Sequence, residues 1–200
     1  GLQRVRTFCL ADAHIIVQPE KAQEEVDQAL ALIEYAAGIF GLKPNEDYWY
    51  RLSLGDRNDD KKYFKSDVEW DGAEEVLLAV LKNRSVRNYE APGEAAFYGP
   101  KIDIQMKNVN GKEDTAFTVQ YDFVMPKRFE LRYVAEDGIE KEPVVVHRSS
   151  IGAIERLMAF LIERYAGAFP VWLSPVQVHF APVSQKHVEG AQALAQEFKD

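Results

Sequence analysis

Val144-Val-Val-His147-Arg-Ser-Ser150-Ile-Gly152-Ala-Ile-Glu155-Arg156 is the stretch on which the fold turns. Its apolar run, Val144 to Val146, reads as a buried strand that delivers a histidine at its end. Ser149 or Ser150 then caps a helix whose first turns carry Gly152 and the Glu155–Arg156 pair. A strand end, a bare backbone patch at Gly152 and a guanidinium in one unit suit a phosphorylated, flat-ringed ligand. From this segment alone, a plain βα connection with a surface ion pair is the simpler reading.

Upstream lie the clearest strands. Lys101-Ile-Asp-Ile-Gln-Met-Lys107 alternates strictly, with Ile102, Ile104 and Met106 on one face. Ala116-Phe-Thr-Val-Gln-Tyr-Asp-Phe123 repeats the pattern, and Asn108-Val-Asn110-Gly111 between them is a hairpin turn signal. Pairing the two puts Lys101, Asp103, Gln105, Thr118, Gln120 and Asp122 on the opposite, polar face. Arg128 to Val134 reads as a third strand and Pro143 to His147 as a fourth.

Earlier still, Arg4-Val-Arg6-Thr-Phe8, His14-Ile-Ile-Val17 and Tyr48 to Leu54 read as strands. Pro19 opens a helix running to about Gly41, with Val26, Leu30, Ile33 and Ala37 at helical spacing, and Trp70 to Leu81 is a second amphipathic helix. The class is therefore α+β: a mostly antiparallel sheet with helices on one side. Phe169-Pro170 and Ser174-Pro175 punctuate a boundary near residue 172. Beyond it, Val176 to Phe180 and a helix from Gln185 to Asp200 read as the first βα unit of a second domain, dividing the chain into 1–171 and 172–200.

Composition bounds the function. The 24 basic residues are outnumbered by 32 acidic ones, and a net charge of −8 argues against binding nucleic acid through a broad basic surface. Cys9 is the only cysteine, which forbids an intrachain disulfide and leads us to expect an intracellular, cytoplasmic protein. No run approaches the roughly 20 apolar residues of a membrane span. Neither end reads as a natural terminus, so a longer parent protein is expected.

Several residues invite chemistry. His14 and His147 each end a short apolar strand, and two histidines in one sheet could share a metal, zinc being the ion imidazole favours. Two ligands do not make a site, so buried or capping histidines remain the alternative. Cys9 reads as a small core residue rather than a ligand or nucleophile. Tyr98-Gly99-Pro100-Lys101 is a rigid corner that holds Tyr98 and Lys101 at the sheet's edge. In a strand, Arg4, Arg6 and Phe8 share one face, where a cation and a ring could hold phosphates and stack a base. Arg156 could oppose Phe8 across that ring. Solvated surface residues are the plain alternative for the arginines, Phe8 and Lys101.

Taken together, the segments resemble the class II aminoacyl-tRNA synthetases, and within them the threonyl type. Gly1 to Phe8 and Asp12-Ala-His14 resemble the end of motif 2 and the strand after it. Gly93 to Asp103 and Thr118 to Phe123 resemble the middle active-site strands, and His147 through Gly152 to Arg156 resembles motif 3. Phe169 to Val178 resembles the passage into an α/β anticodon-binding domain.

The resemblance implies a threonine–tRNA ligase that activates threonine with ATP and Mg²⁺ and transfers it to tRNA(Thr). It implies Arg4 on the ATP phosphates, Phe8 and Arg156 around the adenine, and Gly152 close to the adenylate. Asp12 and Tyr98 would contact threonine, while Lys101 and Gln120 would line the adenylate pocket. Arg4, Lys101 and Arg156 would be the catalytic residues. His14 and His147 would be two ligands of one zinc per subunit, the third being a cysteine upstream of this chain. In the family that zinc takes the amino and hydroxyl groups of threonine and so rejects valine.

A homodimer is implied for the intact enzyme, and inactivity for these 200 residues alone, because essential residues lie outside them. Where the family usually has Thr-Gln-Asp this chain has Cys9-Leu10-Ala11. The alternatives are a prolyl or seryl type of class II enzyme, against which the two histidines argue, and a non-catalytic paralogue that binds RNA or nucleotide.

Overall fold

The computed structural model describes residues 1–199, and they form two compact units, Gly1–Arg164 and a second from Tyr165 onward. The first unit is built on a six-stranded sheet. In chain order it has β1 (Leu10–Val17), α1 (Ala22–Ile39), β2 (Tyr48–Leu54), α2 (Asp67–Lys82), β3 (Asn88–Pro92), β4 (Lys101–Lys107) and β5 (Glu113–Asp122). A short α3 (Met125–Arg128), the two-residue β6 (Tyr133–Val134) and β7 (Glu140–Lys141), then β8 (Val144–Ala153) and α4 (Ile154–Tyr165) follow. The sheet order is β1-β8-β5-β4-β2-β3, and every neighbouring pair is antiparallel except β2 with β3.

The alternation read from the sequence sets the two faces. Ile102 pairs with Val119 and Ile104 with Phe117, all four buried. On the same side α1 lies against β8 and β5 and presents Val26, Leu30 and Ile33 to the sheet. Each such side chain contributes about 1.5–3 kcal/mol by leaving water. On the opposite face Lys101 pairs with Gln120 and Asp103 with Thr118, as expected of the hairpin. Its turn closes through Gly111 N–H donating to the Asn108 carbonyl at 2.9 Å.

Several expectations fail for identifiable reasons. Residues 4–8 form no strand, because β8 pairs with β1 only as far as Leu10 opposite Ala153. Arg4, Arg6 and Phe8 therefore do not share a strand face. The strand expected at 128–134 is α3 followed by the short β6. Asp122 Oδ1 accepts from the N–H of Val124 and of Met125, and Pro126 sets φ for a helical turn. Conversely, the strand expected to end at His147 continues to Ala153. Ser149 pairs with Asp12 and Thr118, so it is a strand residue and not a cap, as is Ser150, and Gly152 precedes the helix rather than opening it.

β3 was not expected: it is polar, largely exposed and ends in proline, as an edge strand can. Cys9 is exposed, not a core residue.

Two glycines set close backbone approaches. A Cβ on Gly99 would sit 1.8 Å from the Tyr121 carbonyl oxygen, and one on Gly152, whose φ is +62°, would sit 2.0 Å from that of Ala116. Only glycine lets these chains touch.

In the second unit, short 3₁₀ turns at Val171–Leu173 and Gln185–His187 precede α5 (Val188–Glu197). Residues 176–180 form no strand, because no segment among the described residues pairs with them. The predicted C-terminal helix extends to Asp200, which lies outside the described residues.

Candidate active site

The polar face of the sheet is where buried polarity concentrates. Ser53, Asp103, Gln105, Asp122 and Ser149 are the buried polar residues among those described, and the sheet pairing puts all five on this face. Burying such groups costs free energy unless each finds a partner. The partners form two clusters.

One surrounds Asp103, which is fully buried. Its Oδ2 accepts from Arg51 Nη2 at 2.9 Å, from Ser53 Oγ at 2.8 Å and from Lys101 Nζ. Its Oδ1 has no protein partner. Lys101 is thus tied to a carboxylate beside it at the end of β4, an interior strand, not at an outer edge of the sheet.

The other cluster surrounds the two histidines. His14 and His147 are not strand ends but cross-strand partners within β1 and β8, with ring centroids 4.7 Å apart. His147 Nε2 lies 2.8 Å from Asp122 Oδ2, and Tyr98 packs on the His147 ring at 5.4 Å. Tyr98 donates its hydroxyl to Gln120 Oε1, and Gln120 Nε2 donates to Thr118 Oγ1 at 3.0 Å. Burial, and then the charges of Asp122, Asp12 and Asp103, hold the Tyr98 phenol above its usual range, so it stays a neutral donor.

Two clefts open on this face. The larger, about 550 Å³, is bordered by Arg4, Phe8, Leu10, Gly152, Glu155 and Arg156. The smaller, about 420 Å³, is bordered by His14, Phe97, Tyr98, Asp122, His147 and Arg148. Asp12, Thr118, Gln120 and Ser149 line both. Such concave sites, mixing apolar walls with a few fixed polar groups, are where small molecules bind.

Apart from Lys101 and Arg6, each residue expected at the site borders one or both of these clefts. Glu155 and Arg156 do not pair with each other. Glu155 accepts from the Cys9 N–H through both carboxylate oxygens, at 3.3 and 3.1 Å, while Arg156 donates to the Thr115 carbonyl at 3.0 Å. Ile154 N–H donates to the Cys9 carbonyl at 3.1 Å. The start of α4 therefore clamps the irregular segment that carries Phe8, a residue that is 51% exposed. Sequence reasoning did not single out Glu155, Ser149, Asp122 or Asp103 for these contacts. For Asp103 and Asp122 the signal was there: each is a carboxylate on an interior strand.

As a zinc site the residues fit in part. Two imidazoles stand side by side and one has its second nitrogen on a carboxylate, as metal-binding histidines usually do. Among the described residues no group of three His, Cys, Asp or Glu could hold a metal ion, and Cys9 precedes β1, five residues before His14.

Residues 1–165 match the family model described as tRNA synthetase class II core domain (G, H, P, S and T). The chain is 46% identical over 200 residues to a threonine–tRNA ligase of Clostridium botulinum and 49% identical over 201 residues to one of Streptococcus pneumoniae. All of this chain is matched in both cases, but it spans only 31% of each relative's length. A crystal structure described as the RNA binding domain of threonyl-tRNA synthetase from Cryptosporidium parvum superposes with a TM-score of 0.88 at 36% identity, covering 98% of this chain and 48% of that one. The mostly antiparallel sheet, its flanking helices and the match across residues 1–165 lead to one conclusion: the chain belongs to the class II tRNA synthetase core-domain family.

Proposed function

We propose that this chain is the part of a threonine–tRNA ligase that holds ATP and threonine for adenylate formation. One observation carries the reading: the two clefts meet on Asp12, Thr118, Gln120 and Ser149. A ligand with a phosphate-bearing ring at one end and a small amino acid at the other would span them. In this reading the adenine lies between Phe8 and Arg156, the phosphates meet Arg4 with Mg²⁺, and Gly152 leaves room for the nucleotide. The amino acid lies toward Tyr98, Asp12 and the histidine pair, with Gln120 between the two halves. Lys101 acts from beside Asp103.

Adenylate formation asks little covalent work of side chains. A carboxylate oxygen of threonine attacks the α-phosphorus, a new P–O bond forms, and the bond to the bridging oxygen breaks as pyrophosphate leaves with its electrons. Arg4 supplies positive charge where negative charge accumulates, Arg156 fixes the adenine, and the cleft walls hold the two reactants in line. A ribose hydroxyl of the terminal adenosine of tRNA(Thr) then attacks the acyl carbon and gives up its proton, and the bond from that carbon to the phosphate oxygen breaks as AMP leaves. Zinc, when held by His14, His147 and a cysteine from outside this chain, would offer a Lewis-acidic centre to threonine's amino and hydroxyl groups. The residues after about 172 are proposed to begin the anticodon-binding domain, in a cytoplasmic, homodimeric enzyme. No helix among the described residues is long and apolar enough to cross a membrane.

Leu10 borders the larger cleft and is 54% exposed, so one wall there is apolar. This favours the ligase reading no less, since an adenine ring needs apolar contact. The test is threonine-dependent ATP–pyrophosphate exchange in the full-length protein, with an Arg156→Ala variant. A fall in exchange of about 10-fold is expected from removing the cation that stacks on the adenine. Unchanged exchange would overturn the assignment of Arg156.

A further inference from the structure

Ser149 carries the one buried hydroxyl among the described residues that has no hydrogen-bond partner. The residue is 9% exposed and lies in mid-strand on the polar face, in register with Asp12 on β1 and Thr118 on β5. Ser53, the other buried serine of that face, donates to Asp103 Oδ2 at 2.8 Å. The neighbours of Ser149 bond elsewhere or face outward: Thr118 Oγ1 takes its bond from Gln120 Nε2 at 3.0 Å, and Asp12 is exposed. A buried hydroxyl without a partner costs stability. The cost is borne at a chosen place, because Ser149 borders both clefts at the wall they share.

The position along β8 narrows what the hydroxyl meets. His147 is two residues before Ser149 and Gly152 three after, about 7 Å and about 10 Å at the rise of a strand. A threonine whose amino and hydroxyl groups lie toward Tyr98, Asp12 and the histidine pair therefore points its carboxylate back toward Ser149. We propose that Ser149 is a substrate-binding residue, whose hydroxyl donates to the carboxylate oxygen of threonine that does not attack phosphorus. Fixing that oxygen turns the other toward the nucleotide cleft. A neutral donor suits the task, since the carboxylate stays ionised and nucleophilic while the bond to it is charge-assisted. The proposal rests on the reading of the two clefts as one adenylate site, and adds the group that orients the amino acid within it.

The test compares full-length wild type with Ser149→Ala by thermal melt and by threonine-dependent ATP–pyrophosphate exchange. Deleting an unpaired hydroxyl should leave Tm unchanged or raise it, while the KM for threonine rises about 10-fold or more and that for ATP changes less than about 3-fold. L-Threoninol, which has a hydroxymethyl group in place of the carboxylate, should inhibit both proteins within about 3-fold of each other. A marked fall in Tm, or a variant that does not fold, would give the hydroxyl a structural bond and overturn the proposal. So would an equal loss of affinity for threonine and threoninol. If wild type exchanges and Ser149→Ala matches it, the role of Ser149 fails and the reading of the clefts stands. If wild type shows no threonine-dependent exchange, that reading fails and takes this inference with it.

Discussion

Gly152→Ala concentrates the physics of this site in one methyl group. The residue sits at φ +62°, and an alanine held there costs about 1–2 kcal/mol in backbone strain. The added Cβ would also lie 2.0 Å from the Ala116 carbonyl oxygen, where real Cβ contacts essentially never fall below 3.0 Å. The end of β8 must therefore move from β5 by about 1 Å, and overpacking of this kind costs a further ~1–3 kcal/mol. The sum, roughly 2–5 kcal/mol, corresponds to a fall in Tm of roughly 5–20 °C for a domain of this size.

The same displacement would shift Arg156, which is tied to the Thr115 carbonyl beside Ala116, and ~1 Å at such a group costs on the order of 100-fold in rate. Gly138→Ala is the control: its φ is +78° but nothing lies within 4 Å of the new Cβ, so it should lose only about 1 kcal/mol. Thermal melts of both variants and exchange assays of the full-length protein measure the difference. Equal losses in the two variants would refute the close approach between β8 and β5.

Glu155→Ala should leave the fold intact, since the side chain is at the surface of the cleft, but free the segment carrying Phe8 from its two bonds to the Cys9 N–H. The expected result is a KM for ATP raised ~10-fold or more with little change in Tm, by the loss of hydrogen bonds to a charged acceptor. Asp103→Ala strands Arg51 and Lys101, whose side chains are only 19% and 18% exposed, and should cost about 3–5 kcal/mol in urea unfolding. A cost below about 1 kcal/mol would mean that the cluster does not hold the polar face together.

Stability should also fall in alkali. Burial raises the phenols of Tyr48 and Tyr121 to about 12, and burial with the Glu34 hydrogen bond raises that of Tyr50 further. Their folded values exceed the unfolded value of about 10, so the stabilisation is whole below that pH and is lost as pH climbs toward 12. Melts on either side of about pH 10 would show the slope, and Tyr50→Phe should flatten it.

What could be read beforehand follows from where the information sits. β4 and β5 were legible because strict alternation fixes both period and register, and a one-residue slip would bury Lys101 and Asp103 in the core. α1 and α2 were legible from apolar spacing. Ser149 misled because a serine on the polar face of a strand looks, in sequence, like a serine capping a helix, and Ser150 is the next residue of the same strand. Residues 4–8 have β-forming composition, but a strand exists only where a neighbour supplies its ladder, and none among the described residues does. His14 and His147 lie 133 positions apart in the chain, and only the fold makes them register partners. Lys101 was named without its tether, since nothing local announces that Asp103 two residues on turns the ammonium toward itself.

The most direct measurement is a structure of the full-length protein with a non-hydrolysable threonyl-adenylate analogue bound. The account predicts adenine between Phe8 and Arg156, the threonyl group beside Tyr98 and the histidine pair, and Gln120 between them. An analogue bound away from the shared wall of Asp12, Thr118, Gln120 and Ser149, or lying with its ends reversed, would contradict it.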